Sequence, residues 1–152
     1  MIRKVAATSN KPREIAIDIL GRIEQENAFA EPLLDARLGS GLMDNPGDRR
    51  LLTQIVYGTL RMQGRIDWII GHLYSGRFVS MNPGIKSILR SALYQLLFTD
   101  RLPDYAVVNE AVNAAGKRYP GREGLVNAVL RNAIRKKDAI PYPDPQKEPS
   151  LY

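Results

Sequence analysis

The side chains with chemical potential in this sequence are mostly cations, and they fall at helical spacing. Asn127, Arg131 and Arg135 follow one another at i, i+4 and i+8, opposite the apolar positions Leu125 and Val129. Side chains so spaced share one helix face. Arg135, Lys136 and Lys137 then crowd the turn that closes the segment. Cations at that end complement the helix dipole, and the same cations can contact phosphate; the residues alone allow both. A second strip, Lys86, Arg90, Tyr94 and Arg101, runs along an earlier apolar segment. It is either a solvated helix edge or a phosphate-facing strip, with Tyr94 either packed or stacked on an unpaired base. Lys11 and Arg13 open the first apolar segment.

Covalent and metal chemistry have little to work with. There is no cysteine, and His72, between Gly71 and Leu73, is the sole histidine. The pairs Asp44/Asp48 and Glu24/Glu26 fall at loops and helix ends, where capping accounts for them. The sequence holds no GxGxxG, GxxxxGK[ST], HExxH or GxSxG. Asn109 and Asn127 read as buried amides that tie backbone ends together. No self-contained enzyme is expected, and neither a metal site nor a catalytic residue is assigned.

The bulk numbers agree. With 152 residues, 44% hydrophobic and 25% charged, the chain can build one domain with a real core. Twenty-two basic against 16 acidic residues give a net charge of +6, and the isoelectric point is near 9.7, which favours a nucleic-acid partner. No apolar run is long enough to span a bilayer, and no apolar stretch of a signal peptide follows Met1-Ile2-Arg3-Lys4. The expected location is the cytoplasm, without a membrane.

The elements that position these residues are helices throughout. The organising segment is 83–101, where Ile85, Ile88, Leu89, Ala92, Leu93, Leu96 and Leu97 keep the 3.6-residue period. Asn82-Pro83 gives it a capping side chain and a proline at its first position. Its wide apolar arc predicts a central helix touching several neighbours. Helices are expected at 10–26, 28–38, 46–62, from a break at Gly64 to 74, at 105–118 and at 122–137. This predicts an all-α fold of about seven helices over residues 10–138, a flexible arm at 1–9 and a linker at 139–152. The linker carries four prolines and cannot continue a helix.

Three phrases carry a resemblance: VYGTLRMQGRIDWII, SALYQLLFTDRLPDYAVVNEAVNAAGKR and GLVNAVLRNAIRKK. With NEAV (Asn109–Val112) and VNAVLR (Val126–Arg131) at this separation, the chain resembles the NusB-like domain. The resemblance implies two packed helical sub-bundles that bind RNA. IDWII and ALYQLLFTDRLPDYAVVNEAV are closer to the N-terminal domain of the Sun/Fmu (RsmB-type) ribosomal RNA 5-methylcytosine methyltransferases than to the free-standing transcription antitermination factor, whose arginine-rich start is thinned here to Lys11-Pro12-Arg13. On this reading the chain is the RNA-binding part of an rRNA-processing enzyme. The catalytic domain, with S-adenosylmethionine as its cofactor, would lie beyond the linker, because its chemistry needs a cysteine thiolate and a glycine-rich loop that this sequence lacks. The alternatives are a free-standing antitermination factor and a helical protein-interaction domain. The expected RNA-binding residues are Lys11, Arg13, Lys86, Arg90, Arg131, Arg135, Lys136 and Lys137.

Overall fold

A computed structural model of the chain describes residues 11–41 and 43–139. The expected arm, Asn10 and residues 140–152 of the proline-rich linker lie outside these. Among the described residues every regular element is helical. In chain order they are Pro12–Glu26 (α1), Ala30–Leu38 (α2), Pro46–Arg61 (α3), Gln63–Leu73 (α4), Pro83–Phe98 (α5), Asp104–Arg118 (α6) and Glu123–Arg135 (α7), with a 3-10 turn at Phe78–Ser80. They divide into two compact units, one ending at Tyr57 and one beginning at Gly58, so the boundary falls inside α3.

In the first unit α1 buries Ile15, Ala16, Ile17, Ile19 and Leu20, and α3 contributes Leu51, Leu52, Ile55 and Val56. Polar ties hold the ends. Arg37 donates to Asp18 Oδ2 at 3.2 Å, joining α2 to α1. Arg49 Nη1 donates to the carbonyls of Leu38 (2.7 Å) and Met43 (3.1 Å). That satisfies a carbonyl which the end of α2 leaves without a partner.

The second unit is assembled on α5. Every residue from Gly84 to Leu96 is buried except Lys86, as expected of the organising helix. It packs against α4, α6 and α7, while α6 also packs along α7. A helix buried on all sides must satisfy its own polar side chains. Ser87, Ser91 and Gln95 do so on carbonyls of the same helix at 3.1–3.2 Å. Asn82 Oδ1 accepts from the N–H groups of Gly84 (2.7 Å) and Ile85 (3.2 Å), forming the cap that the sequence predicts.

Most helix ends differ from expectation by one or two residues, and two differ by more or change the pattern. The α3–α4 break lies at Met62, not at Gly64, which sits in the first turn of α4. Helical hydrogen bonds still cross the break, from Met62 N to Gly58 O and from Ile66 N to Met62 O. The burial of Ile66, Ile69 and Ile70 outweighs the helix penalty of a glycine. α5 ends at Phe98, because Thr99 is extended and its hydroxyl donates to Gln95 O at 2.8 Å. Arg101 is therefore outside the helix and does not continue its strip.

Candidate nucleic-acid interface

The α7 cations form the clearest site. Val126, Val129, Leu130 and Ala133 turn inward, and the period then places Arg131 and Arg135 outward, both exposed. Arg131 Nε donates to Asn127 Oδ1 at 3.2 Å, and Arg135 Nη2 to Asn132 Oδ1 at 2.7 Å. The amides are neutral, so they hold the guanidinium groups in place without cancelling their charge. Lys136 and Lys137 follow at the end of the helix, both exposed, where cations oppose the negative end of the helix dipole. Asp138, also exposed, follows them.

The α5 strip does not survive as a surface, and Arg90 is corrected from solvent-facing to buried. It is 6% exposed, and its Nε and Nη2 donate to Asp67 Oδ1 and Oδ2 at 2.7 and 2.9 Å. Both donor positions suited to a phosphate are thus taken by a carboxylate of α4. Tyr94, 3% exposed, packs where a Cβ on Gly58 would stand, which favours packing over base stacking. Lys86 is half-buried, with its ammonium 4.6 Å from the centroid of the Phe78 ring. The cause is the wide apolar arc of α5, which leaves little of the helix outside the core. Lys11 stands at the residue before α1, where its side chain makes no capping bond, and is exposed; Arg13 follows in the first turn, half-buried. Both belong to the first unit.

The sequence reading missed two polar features. Asn109, read as a buried tie, is exposed, and it stands with exposed Tyr105, Asn113 and Lys117 along the outer side of α6. Their spacing of i, i+4, i+8 and i+12, opposite buried Val107, Val108, Ala111 and Ala115, was the available signal. In the first unit Leu38, Arg49, Arg50, Thr53 and Gln54 line a shallow cavity of about 380 Å³. Adjacent arginines in one helix give no spacing signal of a shared site.

Among the described residues no cluster of three or more His, Asp or Glu could hold a metal ion, and no helix is long and apolar enough to cross a membrane. The described residues contain no strand, and so no strand–glycine-loop–helix unit of the kind that cradles S-adenosylmethionine.

Fold and site together define, over the described residues, an all-helical domain with cations gathered along one helix. The chain belongs to the NusB family, whose model matches residues 10–135. It is 32% identical over 138 residues to the probable ribosomal RNA small subunit methyltransferase B of Bacillus subtilis, covering 90% of this chain and 30% of that protein. It is 35% identical over 134 residues to the ribosomal RNA small subunit methyltransferase B of Proteus mirabilis, covering 88% of this chain and 31% of that one. The chain thus spans about three-tenths of the length of these relatives. Among solved structures, it superposes on a chain of the antitermination factors NusB and NusE in complex with dsRNA. The TM-score is 0.75 at 20% identity, over 83% of this chain and 95% of that one.

Proposed function

We propose that this chain is the RNA-binding domain of a ribosomal RNA cytosine-5 methyltransferase, holding RNA for a catalytic domain that binds S-adenosylmethionine. The observation that carries the reading is the alignment of nine-tenths of this chain with under a third of methyltransferase relatives. The exposed α7 cations give it a physical basis. RNA binding by such a surface is driven largely by release of counterions from phosphate. The contact set is Arg131, Arg135, Lys136 and Lys137 on α7, with Lys11, Arg13 and Lys86 as further contacts. Arg90 supports the fold instead.

The test is equilibrium binding of single-stranded ribosomal RNA fragments across a salt series. With four phosphates neutralised, log affinity against log salt should fall with a slope of about −3. Absence of binding at low salt would refute the reading and favour a protein-interaction domain. The superposition on the NusB–NusE complex over nearly all of that chain supports a second reading, a free-standing antitermination factor. Sequencing the parent reading frame past Tyr152 separates the two. A methyltransferase domain downstream is expected, and a stop codon there would favour the second.

A further inference from the structure

Trp68 and His72 are the chain's one tryptophan and one histidine, and they stand one turn apart on α4. Their rings are parallel to within 3°, with centroids 5.5 Å apart. The core side of the helix is Ile66, Ile69 and Ile70. On the other side Gly64 and Gly71 lie at i−4 and i+3 from Trp68, so neither neighbouring position has a side chain. Apart from Ile70, His72 and the backbone of its own helix, nothing lies within 4 Å of a Cβ placed at Gly71. The protein's own packing therefore does not require glycine there, although each glycine weakens a helix relative to alanine. Stabilisation of α4 explains why the rings pair, but not why the space beside them is kept open.

The end of the helix extends this opening. Within a helix, the residue four positions on lies over a ring of this kind. α4 stops at Leu73, and Tyr74 is extended. The positions that would have covered the imidazole are Ser75 and Gly76, both exposed, with the Tyr74 ring lying against Gly76 at the border of the opening, and His72 itself is exposed. Arg77, also exposed, follows directly. A flat ring face, an open ledge and an adjacent cation suit a ligand that is planar and carries a phosphate. Base–aromatic stacking tolerates any base, since each has a π-face.

We propose that this ledge stacks an unpaired base of an RNA strand as a third layer on the indole–imidazole pair, with Arg77 meeting the adjoining phosphate. The proposal rests on the RNA-binding reading above and adds a site on α4 to the cations of α7.

The sole tryptophan is the reporter. Short single-stranded RNA added at low salt should quench its fluorescence, and a strand of the same length built of abasic residues should bind without quenching. Gly71→Leu favours the helix and fills the ledge. It should remove the quenching and weaken binding of the base-bearing strand about fivefold or more, leaving the abasic strand and the circular dichroism unchanged. His72→Ala, which keeps the indole, should weaken the base-bearing strand alone by a similar factor. The proposal is overturned if the abasic strand quenches equally, or if Gly71→Leu and His72→Ala bind the base-bearing strand as the parent does. Salt-dependent RNA binding with unchanged fluorescence sinks the ledge and spares the RNA-binding reading. No binding of either strand at low salt sinks both.

Discussion

Removing one partner of the Arg90–Asp67 pair leaves a charge stranded in the second unit. The side chains are 7% and 23% exposed, and the contact is two-pronged. Asp67→Ala should therefore cost about 3–5 kcal/mol in urea unfolding. The double variant Asp67→Leu/Arg90→Met should regain most of that, because a buried ion pair exchanged for apolar groups of similar volume is often neutral. If single and double variants lose equally, the pair is not the source of the effect. Glycines make a second residue-scale comparison. A Cβ on Gly58 would run into the ring of Tyr94 at Cζ, and one on Gly84 would lie against the Tyr119 hydroxyl. Tyr94 is enclosed in the core, whereas Tyr119 is half-buried and can swing aside. Gly58→Ala should cost about 1–3 kcal/mol and Gly84→Ala less, as thermal unfolding of both variants would show. Neither the ion pair nor the glycine contacts could be read from sequence. Arg90 looks like any flank cation until α4 supplies Asp67, 23 positions away.

Helix starts were legible, because their signals are local. Asn82 caps α5, and Asn45 Oδ1 accepts from Asp48 N at 3.0 Å at the start of α3, as the two Asn-Pro pairs predict. Asn82→Ala should cost about 1 kcal/mol, and Asn82→Gly only a few tenths. An equal loss for both, measured by denaturant titration, would show that the side-chain cap contributes nothing. Helix ends were less legible. The stop of α5 at Phe98 depends on Thr99 turning back onto Gln95, and Gly64 stays helical because α4 is held by its isoleucines. Both outcomes are set by packing, which the local pattern does not contain. The exposure of Asn109 is of another kind: the asparagine alone reads alike whether it ties a backbone end or faces water, and only its spacing with Tyr105, Asn113 and Lys117 shows the outer side of α6.

For the whole molecule, the fold class followed from an unbroken 3.6-residue period, whereas the proposed RNA contacts are divided between two units, each to be tested by itself. Lys11 and Arg13 belong to the first unit, and Lys86 and the α7 cations to the second. Salt dependence can count them separately, since each phosphate contact adds about 0.7 to the slope on single-stranded RNA. Arg131→Ala and Arg135→Ala should each lower the slope by about 0.7 and weaken unrelated RNA sequences alike, as phosphate contacts do. Arg22→Ala is the control. Arg22 is exposed, and Glu26 already neutralises it at 3.3 Å, so its loss should leave the slope unchanged. The paired substitution of Lys11 and Arg13 by alanine decides the role of the first unit. If one strand engages both units, the slope falls by up to about 1.4, and by the same amount when the α7 variants are already in place. If the first unit takes no part, the slope stays that of the parent and the interface reduces to the second unit. A loss in the control as large as in the α7 variants would mean that the charge acts diffusely, and the assignment of contacts would fail.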